Sequence, residues 1–286
     1  MLKQRVITAV ILFAVLLAAV LAPSPWPLVG LFSVAAACGL WEWLRLVWPT
    51  RDSRFPVLLA TFAWAVFMML AALWLHEPTA PLALAAIHLF QGVLVPMAGL
   101  IWVLYAPWQV IEGNAGKPPG SAFLSTFGIV AVAAVWYALV QLFLNHGAWF
   151  VVSLMALIWC ADIAAYFCGK AFGRHKLAPR VSPGKTWEGA AGGVLAAVLW
   201  IVLSAQWPGS FASALVQSFS WPWVIMLAAF LAALSIVGDL FESLLKRRAG
   251  MKDSSQLLPG HGGVYDRIDA LLPVAPLALL IAGVSA

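Results

Sequence analysis

Apolar runs recur along this chain with almost no charge inside them, and each is close to the length that crosses a bilayer. A spanning helix needs roughly 20 predominantly apolar residues, since lipid offers no partner for an open backbone group. The runs lie at residues 6–22, 27–47, 56–75, 82–104, 121–144, 148–168, 189–206, 221–242 and 271–285. They predict an all-α polytopic membrane protein, a bundle of about nine transmembrane helices with the last one short. Of 286 residues, 64% are hydrophobic and only 9% charged, against about 25% charged in a soluble domain. That deficit excludes the soluble classes. The net charge of +5 is therefore read across a membrane and not as a nucleic-acid surface. Prolines break the chain between runs, at Pro23, Pro25 and Pro27, at Pro49 and Pro56, and at Pro78 and Pro81. Tryptophans crowd the predicted ends (Trp26, Trp41, Trp43, Trp48, Trp149, Trp207, Trp221, Trp223), as interfacial belts require. Cys38, Cys160 and Cys168 fall inside apolar runs and read as small buried hydrophobes, not as a disulfide framework. The first run lacks a small-x-small cleavage site and is expected to stay as an anchor.

The charges orient the bundle. With the N-terminus inside, all 16 Lys and Arg fall in inner loops: Lys3 and Arg5, then Arg45, Arg51 and Arg54, then Lys117, then two clusters at 170–185 and 246–267. Positive-inside bias this complete predicts N-in, C-out, with the polar loops facing the cytoplasm. Residues 1–120 read as transmembrane scaffold and 121–286 as the catalytic region. Glu42 and Arg45, one turn apart near an inner helix end, read as an interfacial ion pair; the sharper alternative has Glu42 lining a cytoplasmic cavity. His88 and Gln91 read as a structural pair, and His76, Glu77 and His146 as solvated outer-turn residues.

Two polar segments carry the chemistry. The first, residues 243–269, is SLLKRRAGMKDSSQLLPGHGGVYDRID. It sets Lys246, Arg247, Arg248, Lys252 and Arg267 beside Asp253, Asp266 and Asp269, with His261-Gly262-Gly263 between. The second runs from Asp162, set within an apolar run, to Gly189. A carboxylate at Asp162's depth costs several kcal/mol unless paired or wetted, so it is a functional candidate. The loop beyond it offers Gly169, Gly173, Gly184 and Gly189 for close backbone approach, and Ser182, Lys185 and Thr186 as donors, a set able to cradle phosphate. Ser182-Pro183-Gly184-Lys185-Thr186 is similar to the end of a P-loop. Pro179, however, stands where that motif needs glycine, and a membrane helix precedes it, so a soluble P-loop nucleotidase is rejected. A basic patch for anionic headgroups remains the plain alternative.

Carboxylates decide between these. Asp239 with Glu242, and Asp266 with Asp269, are both i, i+3 pairs, each able to present two acids on one helix face. Mg²⁺ favours a few carboxylates completed by substrate phosphate oxygens. Two acidic clusters flanking basic, glycine-bearing loops fit metal-assisted phosphoryl or nucleotidyl transfer. His261 reads equally as a base, a phosphate ligand or a turn residue.

From Ser243 to Asp269 the pattern S-x-L-K-R-x4-K-D-x-S-x2-L-P-x-H-G-G-V-x-D-R-I-D resembles the signature of the phosphatidate cytidylyltransferases, the CDP-diacylglycerol synthases. Ser182–Gly189 (S-P-G-K-T-W-E-G), Asp162–Gly169 (D-x-x-A-Y-x-x-G) and Gly238–Ser243 (G-D-x-x-E-S) resemble it too. The likeness is close over the C-terminal half; the N-terminal half is similar only as a hydrophobic bundle. The resemblance implies that CMP passes from CTP to phosphatidic acid, giving CDP-diacylglycerol and pyrophosphate, with Mg²⁺ and in some members a second, monovalent cation such as K⁺. It implies metal on Asp239 and Asp266, with Asp162 a third candidate ligand. Asp239, Asp266, Lys185, Lys252 and Asp269 become the catalytic set. Ser182, Lys185, Thr186, Glu188, Lys246, Arg247, Lys252, Asp253, His261, Gly262, Gly263 and Arg267 become the substrate-binding set. His261 is not expected to be catalytic, since phosphatidate is already ionised near pH 7. The expected partners are CTP, phosphatidic acid and the bilayer, with a homodimer allowed and no nucleic acid; the expected location is a bacterial-type inner membrane. Two competitors are a different membrane transferase joining a nucleotide to a lipid phosphate, and an organic-anion transporter with Asp162 on its pathway.

Overall fold

The computed structural model describes residues 2–49, 54–118 and 121–284. Arg51 and Ser285 lie outside the described residues, as do the side chains of Lys3 and Arg5. Among the described residues, each predicted apolar run is helical over most of its length. The long helices are α1 (Leu2–Leu21), α2 (Trp26–Val47), α3 (Arg54–His76), α4 (Pro81–Glu112), α5 (Ala122–His146) and α6 (Ala148–Phe172). After the β1–β2 hairpin (Lys176–Ala178 and Ser182–Thr186) come α7 (Trp187–Ser204), α8 (Phe211–Ser218), α9 (Trp221–Arg248), α10 (Tyr265–Ile268) and α11 (Leu271–Val284). Seven of them, α2 to α7 and α9, are long and apolar enough to cross a membrane. The first helix has a shorter apolar stretch, Val6–Leu21, and α11 has 14 residues. The protein is an integral, all-α polytopic membrane protein, with one short hairpin as its only sheet among the described residues.

Helix α4 runs past the predicted end at residue 104. Two π-helical turns, Phe90–Leu94 and Ile101–Tyr105, precede Pro96 and Pro107. A proline ring crowds the carbonyl four residues back and offers no N–H, and a wider turn absorbs that mismatch. Helix α9 runs past residue 242 to Arg248, because Lys and Arg are good helix formers at a helix C-terminus. It stops at Gly250 (φ +67°), where the Gly250 N–H bonds the Arg247 carbonyl and the Met251 N–H bonds that of Lys246. This is the double closure that a left-handed glycine permits, and it throws the chain into the polar loop.

The chain divides into two compact units. One comprises Met1–Ala98, Gly116–Val140 and Leu245–Ile268. Its core is aromatic: Phe67 stacks on Trp136 at 4.3 Å, Phe90 on Tyr137 at 4.5 Å, and Trp43 meets Tyr265 at 5.4 Å. Trp43, expected in an interfacial belt, is instead fully buried and donates its indole N–H to the Leu124 carbonyl. Gly128 makes this fit, since any Cβ there would collide with the indole. The exposed tryptophans Trp149, Trp207, Trp221 and Trp223 do have the surface placement that belts require.

The other unit comprises Gly99–Ala115, Gln141–Leu244 and Asp269–Ala286. Here α6 and α7 pack backbone to backbone. A Cβ on Gly189 or Gly193 would stand 2.8 Å from the carbonyls of Ala165 and Ala161, respectively. Small residues at such crossings are the usual means of helix association in lipid. The close approach expected of Gly169 and Gly189 therefore serves helix packing, while Gly184 lies open at the hairpin.

Candidate active site

In the second unit, the hairpin delivers a lysine to a helix. The antiparallel strands pair Lys176 with Thr186 and Ala178 with Ser182. Thr186 then caps α7, its hydroxyl accepting from the Gly189 N–H at 3.1 Å. Glu188 holds the hairpin's start, accepting from His175 Nδ1 at 2.6 Å and from its backbone N–H. These two residues are thus engaged within the protein. Fixed in this way, Lys185 donates to Asp239 Oδ2 at 2.5 Å.

Asp239 is one of three acids that converge. Oxygens of Asp239, Glu242 and Asp269 lie within 4.8 Å of one another. Gly238 allows it, since a Cβ there would be 2.5 Å from the Asp269 carbonyl and 3.0 Å from Pro273. The expected pairing of Asp239 with Glu242 on one helix therefore holds. Asp269 follows the end of α10 at Ile268 and accepts from the Ala270 N–H at 2.8 Å. Desolvation, reinforced by the neighbouring Asp239 carboxylate, pushes the Asp269 carboxyl well above the usual range. Asp162, on α6, stands outside the three but feels the charges of Asp239 and Lys185.

Three acids whose oxygens converge beside the Lys185 ammonium form a compact, all-oxygen set. Such a donor set suits a hard divalent cation. The residues present therefore fit the metal that the sequence implied, with Glu242 an acid the sequence reading paired with Asp239 but did not name as a ligand. The signal for it was available in the i, i+3 spacing.

In the first unit, a different constellation surrounds Asp266. Its Oδ1 accepts from Lys246 Nζ at 2.7 Å, and its Oδ2 from the N–H groups of Ser254 (3.1 Å) and Gly263 (2.7 Å). The Ser254 hydroxyl lies 3.0 Å from the same oxygen. Gly262 adopts φ +80°, and a Cβ there would be 2.5 Å from Asp266 Oδ2. A Cβ on Gly263 would strike the Ser254 hydroxyl and the Glu42 carboxylate. The glycine pair is there because two carboxylates occupy the space of its side chains.

Glu42 is the residue the sequence reading misjudged. It is fully buried, and its hydrogen bonds run not to Arg45 but to the signature loop, from Ser254, Ser255 and the N–H groups of Val264 and Tyr265. Arg45 sits over the Trp41 ring at 4.8 Å instead. His261 has its backbone in a turn, its carbonyl accepting from Arg267 Nη2 at 2.8 Å and Nε at 3.2 Å. Arg267 is thus tied to the loop it was expected to serve. Arg247, Lys252 and Asp253 are exposed, and Ser182 is half-buried.

Comparison with known proteins supplies the context for these two clusters. Residues 3–284 match the model of the cytidylyltransferase family. The chain belongs to that family. It is similar to the phosphatidate cytidylyltransferase of Haemophilus influenzae, 35% identical with 96% of each chain covered. It is likewise similar to that of Pseudomonas aeruginosa, 36% identical over 97% of this chain and 95% of the relative, and to that of Thermotoga maritima, 33% identical over 98% and 96%. The likeness thus extends through the N-terminal half, well beyond the motifs legible in the sequence. The cytidylyltransferase is a membrane-embedded transferase of phospholipid biosynthesis.

Proposed function

We propose a division of labour among the residues of this phosphatidate cytidylyltransferase, which transfers CMP from CTP to phosphatidic acid and releases pyrophosphate. The observation that carries the reading is the convergence of Asp239, Glu242 and Asp269 beside Lys185. Asp239 and Asp269, with Glu242, hold a divalent cation, Mg²⁺ by its preference for carboxylate and phosphate oxygen. Bound there, it supplies charge neutralisation to a triphosphate and its departing pyrophosphate. Asp266 is proposed to meet a cation or a substrate phosphate in its own loop and Asp162 to orient bound groups, with a monovalent ion such as K⁺ as an optional second cation.

The chain's own residues do the rest. A phosphatidate oxygen forms the new bond at the α-phosphorus of CTP, and the bridging oxygen leaves with the pyrophosphate. Both partners are anions, so Lys185, Lys246, Arg247, Lys252 and Arg267 lower their mutual repulsion. Ser182, Thr186 and Glu188 shape the hairpin that presents Lys185. Gly262, Gly263, Asp253 and His261 shape the loop that presents Asp266. No side chain need remove a proton, because the attacking phosphate is already ionised. The catalytic groups all follow residue 120, with 1–120 as support. The one-sided distribution of Lys and Arg favours a cytoplasmic site in a bacterial inner membrane, where CTP is available.

The test is pyrophosphate release by the purified protein. Release that needs CTP, phosphatidate and divalent metal together supports the reading. Equal release with another lipid phosphate, or solute uptake into proteoliposomes without lipid product, would replace it.

A further inference from the structure

We infer that Glu42, on α2 in the N-terminal half, is a positioning residue for the transfer reaction, holding Asp266 and its loop through the Ser254 hydroxyl. This rests on the reading above that Asp266 belongs to the reaction machinery.

A buried carboxylate on a membrane helix is costly unless its oxygens are met. Here both are, by donors from the signature loop: the Ser255 hydroxyl at 2.5 Å and the Val264 N–H at 3.0 Å on Oε1, the Ser254 hydroxyl at 2.9 Å and the Tyr265 N–H at 2.5 Å on Oε2. Val264 and Tyr265 immediately precede Asp266. Glu42 therefore fixes the backbone on which Asp266 sits.

The hydroxyl count makes the link specific. Ser254 Oγ stands 2.9 Å from Glu42 Oε2 and 3.0 Å from Asp266 Oδ2. One hydroxyl proton serves two carboxylates, so the position of each acid depends on the other. Gly263 closes the arrangement, leaving no room between Ser254 and Glu42 for a side chain. A helix more than 200 residues upstream in sequence thus sets the geometry of the loop. A purely mechanical anchor would not need a carboxyl group set against four donors and beside a second acid; an apolar contact would hold the helix at lower cost.

The test compares full-length wild type with Glu42→Gln, Glu42→Asp and Asp266→Asn in detergent, measuring thermal unfolding, kcat, both KM values and the half-saturating Mg²⁺. Turnover is normalised to folded protein. Glutamine has one acceptor oxygen and turns an amide N–H₂ toward backbone donors. Glu42→Gln should lose about tenfold or more in kcat per folded molecule and need more Mg²⁺. Glu42→Asp keeps the charge and should recover part of both. Wild-type kcat and Mg²⁺ dependence in the folded fraction of Glu42→Gln would overturn the inference while leaving Asp266→Asn inactive. If the glutamine variant does not fold, Glu42→Asp decides: unchanged kcat and Mg²⁺ dependence overturn it, a partial loss in both supports it. An active Asp266→Asn would instead remove the assignment of Asp266, and the route from Glu42 with it.

Discussion

Two acidic clusters in this protein use the same side chains to opposite ends. Around Asp266 and Glu42, the carboxylate oxygens meet N–H groups, hydroxyls and the Lys246 ammonium. Around Asp239, Glu242 and Asp269, oxygens face one another within 4.8 Å with Lys185 as the ammonium. The first arrangement fixes a loop and holds Asp266 within it. The second brings acids against acids, and carboxyl groups so close at low dielectric favour a shared cation or a proton. What marks Glu42 as a positioning acid is therefore the company of its oxygens, not the residue type.

Substitutions can break that contrast at either end. The largest effect belongs to Asp239→Asn, which should cut turnover by at least about 100-fold, beyond the loss typical of residues that merely orient a ligand. Steady-state pyrophosphate release at limiting Mg²⁺ measures it, and near-normal activity would return the cluster to a structural role. Lys185→Ala should lower kcat/KM for CTP by about tenfold, as expected for one lost charge contact to phosphate, without raising the half-saturating Mg²⁺. A raised Mg²⁺ requirement would show that the lysine supports the metal and not the nucleotide.

A pH series sharpens the same contrast. The Asp269 carboxyl is held well above its usual range, so without metal it keeps a proton at pH values where an ordinary carboxylate has lost it. Proton and cation compete for that site. Apparent Mg²⁺ affinity should rise as pH increases through the elevated value and flatten in Asp269→Asn. A slope identical in both proteins would assign the pH dependence elsewhere. The smallest effect is expected from Thr186→Ala, which removes the cap of α7. It should cost about 1 kcal/mol of stability, read by thermal unfolding, with a modest loss of activity through Lys185.

Much of the bundle was legible because lipid imposes a single requirement, length of apolar run, that the sequence displays openly. Helix ends were less so. The run of α9 beyond residue 242 hides in charged residues that are good helix formers, and α8 (Phe211–Ser218) is too short and amphipathic to stand out. The β1–β2 hairpin was hidden by its proline and glycine, which read as loop. The signature acids were legible by spacing, but which acid joins which cluster was not. Asp269 falls just past the end of α10, and spacing alone does not show where that helix stops. Glu42 was paired with Arg45 because that is the only local partner. Its real partners are more than 200 residues away, beyond the reach of any local pattern. A lone carboxylate in a spanning run, with a loop rich in small hydroxyls elsewhere, was the available hint.

The central claim is that Asp239, Glu242 and Asp269 together gather a divalent cation. Equilibrium Mn²⁺ binding to the detergent-purified protein, wild type against the double variant Asp239→Asn/Asp269→Asn, tests it most directly. The account predicts a saturable site in the wild type that the double variant lacks; indistinguishable binding in the two would contradict it.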